Sequence, residues 1–520
     1  MQSESRFTSI VALIVALGGF LMGFDASVIS GVVGFIEIQF SLTKIQLGWA
    51  VSSLALTATL GMMLSGPLSD RMGRRPVLQI AALLFAVSAV ASAVAPSFLL
   101  LVIARMIGGL GVGAALIVAP MYIAEMAPPR SRGRLVSFNQ LNIVIGISAA
   151  FFSNYLILTL GESGAEWTQS LRLAEWNWRW MLGIEALPAI VYFFALLFVP
   201  ESPRWLAMRG RDDDALHVLQ RVSGRAAASS ELEAVKSSIE EEAALGKVSP
   251  KTLLDPSLKL VLTIGLSIGI LQQITGINSV FFYAPMIFEQ SGIGTNASFM
   301  QAVLVGLVNL IFTILAMMLI DRFGRRPLLG WGMTGIAVCM LTLSYGFGSA
   351  TYTLDQDASQ QLPDDIDRQE IAALVDITYD SDTEFREAVR TAIGSDLYKR
   401  YEAQLVSAAI ETNPLLILFA ILGFVASFAV SIGPVMWVLF SELFPNRVRG
   451  TAISFVGLVN SIVAFLVTLV FPWQLETIGN SATFLIYGLF AVAGLGFVMR
   501  ILPETKGRSL EELEIILVRH

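Results

Sequence analysis

Charge is scarce in this chain. Lys, Arg, Asp and Glu make up 14% of its 520 residues, whereas a soluble protein carries about a quarter. With 55% hydrophobic residues and a mean hydropathy of +0.70, folding alone does not hide its apolar surface from water, and the membrane class is expected. Cysteine is nearly absent. Cys339 is the one thiol, so an intrachain disulfide is excluded. Histidine is almost as rare: His217 and His520 lie far apart in polar segments. Without a Cys/His cluster no metal site is expected. Without a nucleophile–base pair no enzyme is expected either, and no cofactor or nucleic-acid partner. A cleavable leader is not expected, because the apolar run Phe7 to Phe35 is too long for one.

What the chain does have is repetition. Asp70-Arg71-Met72-Gly73-Arg74-Arg75-Pro76 returns as Asp321-Arg322-Phe323-Gly324-Arg325-Arg326-Pro327. Glu125 followed by Arg132-Gly133 returns with the same spacing as Glu442 and Arg449-Gly450, and Pro200-Glu201-Ser202 returns as Pro503-Glu504-Thr505. Three charged signatures in one order, twice, mean a duplication. Each follows a long apolar run, so the duplicated unit is a set of membrane helices.

A span needs about 20 apolar residues, and the hydropathy pattern predicts twelve. The first six cover 7–34, 48–69, 76–95, 98–122, 136–160 and 180–199. The second six cover 259–290, 299–320, 327–348, 413–444, 451–472 and 481–502. The expected organisation is therefore an amino-terminal bundle over 1–200, a helical linker over 201–258, a carboxy-terminal bundle over 259–502 and a tail over 503–520. Arginines crowd the loops after the second, fourth, eighth and tenth spans, whereas 290–298 has no base. The positive-inside rule then places these loops, the linker and both termini in the cytoplasm.

Acidity is confined to one insert, 350–412. From Asp355 to Glu411 there are fourteen acids against five bases. Its sequence pattern reads as helical, as in Glu384–Arg390. A small solvated cap and a lid or partner surface both fit that composition.

Charged side chains inside spans cost about 2.5–3.5 kcal/mol each and mark function or pairing. Three stand in the first half: Asp25, Arg105 and Glu185. Arg105 keeps its proton, but a carboxylate beside it can bind and release one. Protonation of Asp25 would free Arg105 to shift, coupling a proton to helix movement; the alternative is a static buried ion pair. The seventh span carries Gln272, Gln273 and Asn278 around Gly276. Gln272 and Gln273 lie about 100° apart on a helix, so both reach one cavity only at its edges or where the helix unwinds. Gln140, Asn309 and Asn460 add amides, and Trp437 an aromatic plate, in other spans. An amide offers donors and an acceptor, which suits hydroxyls. No charge accompanies these amides in the second half, so an uncharged polyol is expected rather than an ionic ligand. Single amides, Asn309 above all, serve equally as interhelical hydrogen bonds. Gly109 and Gly113 form a small-residue pair expected to pack closely.

The repeated signatures read as a gate. Arg74 and Arg75 can donate to helix-end carbonyls and to carboxylates of the Glu201 and Glu442 kind across the interface of the halves. Topology alone would leave the acids Glu125, Glu201, Glu442 and Glu504 unexplained.

Together these strings resemble the sugar porter family of the major facilitator superfamily, closest to bacterial proton-coupled pentose and hexose porters. The resemblance rests on Asp70–Arg75, Pro120–Glu125, Ser137–Gln140, Pro200–Leu206, Gln272–Asn278, Gly433–Trp437 and Pro503–Gly507, and spans nearly the whole chain except 350–412. It implies an all-α membrane protein of twelve helices in two pseudo-symmetric six-helix bundles, set in the inner membrane of a bacterium, with alternating access around a central small neutral sugar. It implies sugar contacts at Gln140, Gln272, Gln273, Asn278, Asn309 and Trp437, with Asn460 beside them, and proton coupling at Asp25 with Arg105 and Glu185. Gating is implied at Asp70, Arg74, Arg75, Glu125, Arg132, Glu201 and Arg204, at Asp321, Arg325, Arg326, Glu442 and Arg449, and at Phe282 and Tyr283. Phe282 stands where such porters often have the first of two tyrosines, Asn460-Ser461 replaces a Gln-Trp pair of xylose-type porters, and the insert is long. The partners expected are a sugar, a proton and the bilayer, with the chain a monomer. A facilitative sugar or inositol carrier and a transport-inactive sensor are the alternatives.

Overall fold

The computed structural model describes residues 2–128, 131–245, 249–363, 365–445, 447–508 and 512–513. Arg130 and most of the tail beyond 508, with His520, lie outside the described residues. Among the described residues twelve helices are long and apolar enough to cross a membrane. They are α1 (Arg6–Gly31), α2 (Lys44–Met72), α3 (Arg74–Ala93), α4 (Phe98–Met126), α5 (Arg132–Glu162) and α6 (Asn177–Phe198). The second set is α7 (Pro256–Phe282), α8 (Thr295–Ile320), α9 (Arg325–Gly348), α10 (Pro414–Leu443), α11 (Arg449–Thr477) and α12 (Gly479–Ile501). Local chemistry starts them. Ser97 caps α4 by accepting from the Leu100 amide, and Asn413 caps α10 with Pro414 at its first position. Large apolar side chains such as Leu64, Leu99, Phe198, Met318 and Phe419 stay exposed, which only a hydrocarbon surround makes favourable.

The chain forms two compact units. Unit 1 holds Met1–Val28, Ser53–Ala150 and Arg179–Ser249; unit 2 holds Ile29–Ser52, Phe151–Trp178 and Pro250–His520. In unit 1 the core is Val15, Ala16, Phe85, Val118, Tyr122 and Tyr192. Gly109 and Gly113 pack against α2: a Cβ would lie 2.1 Å from Thr57 Oγ1 at the first and 2.0 Å from the Ala58 carbonyl at the second. In α6 the helix loosens at Ile184 and Glu185, because Pro188 has no N–H to give the Ile184 carbonyl.

In unit 2, α7 is interrupted. Its regular helix ends at Ile274, Gly276 sits at φ +88°, and Ile277–Phe282 and Ala284–Glu289 follow as separate short helices. A side chain at Gly276 would be strained and would also press on the Tyr487 ring, 2.6 Å from a Cβ. The α10 span breaks at Ser431, where Pro434 has no N–H for the Val430 carbonyl.

The insert is more than a run of helices. Strands β1 (Thr351–Thr353), β2 (Thr378–Tyr379) and β3 (Ile410–Glu411) form an antiparallel sheet in the order β2-β1-β3. Helices Asp382–Ile393 and Ser395–Ala409 close it over a core of Tyr352, Leu354, Phe385, Val389 and Leu405. The run Glu384–Arg390 is helical as expected, within Asp382–Ile393, and the small sheet is an addition that the sequence did not show. The strands are two or three residues long, too short to register as an alternating pattern.

Candidate functional site

In unit 1, Asp25, Arg105 and Glu185 lie at matching depth. At ~1.5 Å per residue, Asp25 is about 9 Å from the Gly31 end of α1, Arg105 about 10 Å from Phe98, and Glu185 about 12 Å from Asn177. Their side chains are 1%, 2% and 2% exposed. Arg105 Nη1 donates to the Asp25 carbonyl at 3.0 Å and pairs closely with Asp25 Oδ1. Glu185 feels the charge of both. Asp25 Oδ2, Arg105 Nε and Nη2, and Glu185 Oε1 are buried without hydrogen-bond partners among the described residues. The bridge thus leaves part of the hydrogen-bonding capacity of all three groups unused within the protein. Gly108 makes the room: a Cβ there would stand 2.6 Å from Asp25 Oδ2 and 2.5 Å from Ser88 Oγ.

In unit 2 the break in α7 gathers amides. Asn460 Nδ2 donates to Gln272 Oε1 at 2.8 Å and to the Gly269 carbonyl at 2.7 Å. Gln273 Nε2 donates to Asn460 Oδ1 and to Gln272 Oε1, both at 3.2 Å. Asn278 Nδ2 donates to Gln273 Oε1 at 2.8 Å, and Gln272 Nε2 reaches the Gly433 carbonyl at 3.5 Å. Four side-chain amides thus form one network, and among the described residues no charged side chain hydrogen-bonds to it. Gln272 and Gln273 both belong to the last regular turn of α7 before its break, which follows Ile274. Below the break, Tyr283 is buried, donates to the Thr468 carbonyl at 3.2 Å and packs its ring 5.2 Å from that of Phe471. Phe282 is part-buried beside it.

The charged signatures fold into the same figure twice. In unit 1, Arg74 donates to Glu125 through Nε at 3.0 Å and Nη2 at 2.9 Å, and to Asp70 at 3.2 Å. In unit 2, Arg325 donates to Glu442 through Nε at 3.1 Å and Nη2 at 2.6 Å. Glu201 accepts the Arg74 and Arg75 backbone amides at 3.0 and 3.2 Å. Glu504 accepts those of Arg325 and Arg326, both at 3.1 Å. Burial raises the Glu201 carboxyl, and the amides of Ser202, Arg74 and Arg75 pull against that rise. Gly73 at φ +103° and Gly324 at φ +94° admit these carboxylates, which leave no space for a Cβ. Arg204 donates to Ser238 at 3.3 Å, Arg449 to the Phe444 carbonyl at 3.1 Å, and Arg132 is exposed at the start of α5. The side chain of Asp321 lies outside the described residues.

Comparison with known proteins bears directly on this geometry. The family of sugar (and other) transporters matches residues 11–360 and 398–517. The chain belongs to that family. Among its curated relatives are the arabinose-proton symporter of Bacillus subtilis (strain 168), 35% identical over 99% of this chain and 96% of that one, and the D-xylose-proton symporter of Escherichia coli (strain K12), 34% identical over the same shares. The inward-open structure of the Escherichia coli xylose transporter matches with a TM-score of 0.74 and 32% identity, covering 98% of this chain and 99% of that one. The fold is that of the major facilitator superfamily, an all-α membrane body of twelve helices, and the chain is an integral inner-membrane protein.

Against this family frame, the expected sugar contacts divide. Gln272, Gln273, Asn278 and Asn460 are brought together. Asn309 is buried in α8 with no hydrogen bond to them among the described residues. Trp437 is 46% exposed, one helical turn beyond Gly433 on α10, so it stands next to the network rather than within it. Gln140 is exposed on α5 in unit 1. Arg75 Nη2 donates to a helix-end carbonyl, that of Leu197, at 3.0 Å as expected, whereas the Arg74 side chain is held by Glu125 and Asp70 within unit 1 rather than by a carboxylate across the halves. Bidentate geometry reaches a carboxylate inside the same repeat first. Sequence reasoning missed Ser202 and Thr505, whose hydroxyls donate to Glu125 and Glu442; their matching places in the repeat were the available signal. Gly108 gave no signal before the helices were packed.

Proposed function

We propose that this chain is a proton-coupled symporter of a neutral monosaccharide, a pentose or hexose, working by alternating access. The observation that carries the reading is the four-amide network at the break of α7. Donors and acceptors alternate there without a charged partner, which suits a ring of hydroxyls. Amides already bonded to one another are held in orientation, so little side-chain entropy is lost on binding. The relatives' names, arabinose-proton and D-xylose-proton symporter, point to the same ligand class.

Coupling is assigned to α1, α4 and α6. A proton arriving at Asp25 cancels its charge and leaves Arg105 a buried cation. Glu185 Oε1, the neighbouring acceptor, then takes the guanidinium, and α4 shifts relative to α1. The charged signatures are assigned as clasps at one end of each repeat, remade as the carrier changes face. In this reading the bundles over 1–200 and 259–502 flank the sugar, the linker 201–258 and both termini are cytoplasmic, and the chain works as a monomer without enzymatic activity. The test is sugar-induced alkalinisation of the medium around proteoliposomes given arabinose or xylose. Uptake without any pH change would make the protein a facilitator, and sugar binding without uptake a sensor.

A further inference from the structure

A cavity of about 190 Å³ lies wholly within unit 2 at the insert end. Its walls come from the α1–α2 connection (Phe35, Glu37), the last half-helix of the α7 region (Met286, Glu289, Gln290), the start of α8 (Thr295, Phe299) and the insert (Gln404). By the volume of liquid water it has room for about six molecules. An adjoining cleft over the insert shares Glu289, Thr295 and Gln404 with it, which gives a route to solvent.

The charges around it cancel. Lys44 Nζ bridges Glu37 at 2.7 Å and Glu402 at 2.8 Å, so the place a bound cation would take is filled. Arg386 is paired through Nη1 with Glu402, and Arg400 with Asp365 at 3.4 Å, so their charges are balanced, although Arg386 Nε and Nη2 are buried without hydrogen-bond partners among the described residues. The capacity that remains is a donor edge of the charge-balanced Arg386 and a neutral acceptor on Gln290. Gln290 is 7% exposed, and its Oε1 has no partner among the described residues. Such a buried acceptor costs about 1–3 kcal/mol unless something donates to it. Burial lifts the Glu289 carboxyl to about 7, opposed by a hydrogen bond from Thr295, so at acidic pH it is uncharged as well. Phe35 and Phe299, ring centroids 6.4 Å apart, supply an apolar wall for the C–H face of a ring.

We propose that this cavity is an outer subsite for a neutral polyhydroxylated ligand, a monosaccharide held on the insert side before it reaches the amides of α7. The proposal rests on the transporter reading above. The subsite has fewer amides than the α7 network, so its affinity is lower, by about tenfold or more.

Labelled arabinose and xylose are to be titrated against the full chain in detergent, as wild type, Gln272→Ala/Gln273→Ala, Gln290→Leu and the triple variant. Wild type should bind in two components. The double variant should keep only the weaker one, Gln290→Leu only the tighter one, and the triple variant neither. Loss of all binding in the double variant, or a weak component that survives Gln290→Leu, overturns the outer subsite and leaves the central site standing. Binding by the double variant at wild-type affinity instead overturns the central site. Should Gln290→Leu not fold, a photoactivatable xylose on the wild-type chain decides. Labelling of Met286–Gln290 that excess arabinose suppresses supports the subsite, and labelling confined to the Gln272 region contradicts it.

Discussion

Single side chains in this protein are constrained by what they would leave unpaired. Gln272 is an example. Truncation to alanine strips acceptors from Gln273 and Asn460, as well as any contact to a hydroxyl. A lost neutral hydrogen bond costs about 1–1.5 kcal/mol, so Gln272→Ala should weaken sugar binding about tenfold, read by equilibrium titration. Glu289 makes a different prediction. Its carboxyl, normally at 4.5, is pushed up to about 7 by burial, so folding favours its protonated form. The stability it contributes is complete below about 4.5 and is lost as pH rises through about 7. The effect is at most about 3 kcal/mol, and smaller to the extent that Glu289 is partly exposed. Glu37, Lys44, Arg386, Arg400 and Glu402 face the same cavity. Burial also raises Glu37, whereas Lys44 and Arg386 hold Glu402 down at about 2 against its own burial. Glu289→Gln isolates the one group: the melting temperature should fall between pH 5 and pH 8 more in wild type than in the variant.

At the scale of elements, the repeated clasps can be ranked by burial. Arg74 is nearly enclosed, whereas Arg325 and Glu442 are more open. Glu125→Gln strands a buried guanidinium, at a cost of about 3–5 kcal/mol, softened by Asp70 at 3.2 Å. Glu442→Gln should cost about 1–2 kcal/mol, the range for a more exposed charge-assisted bond. Thermal melts in detergent should therefore drop further for the first, and the reverse order would contradict the ranking. Gly276→Ala forces φ +88° on a residue with a Cβ and presses on Tyr487, so it should lower both stability and sugar binding. Much of this was legible beforehand. The spans were readable because lipid demands long apolar runs, and the charged signatures because duplication repeats them. Gln272 and Gln273 were expected to share one cavity only at its edges or where the helix unwinds; both lie in the last regular turn before the break at Gly276. What was not legible depends on packing. Partner choice at Arg74 was set by which carboxylate its fork meets, Gly108 mattered only once Asp25 lay against it, and the sheet of the insert hides in strands of two and three residues.

For the whole molecule, acidity is a property of the insert and not of the membrane body. Removing 355–411 would take away fourteen acids and five bases, among them Glu402, which holds Lys44. The proposed function links two chemistries: an uncharged amide network in unit 2 and an ionisable trio in unit 1. The measurement that tests this link most directly compares wild type and Asp25→Asn in proteoliposomes under an imposed pH gradient, reading arabinose or xylose accumulation and counterflow exchange side by side. The account predicts that the variant loses accumulation against a gradient while keeping exchange. Accumulation at the wild-type level by Asp25→Asn would contradict it.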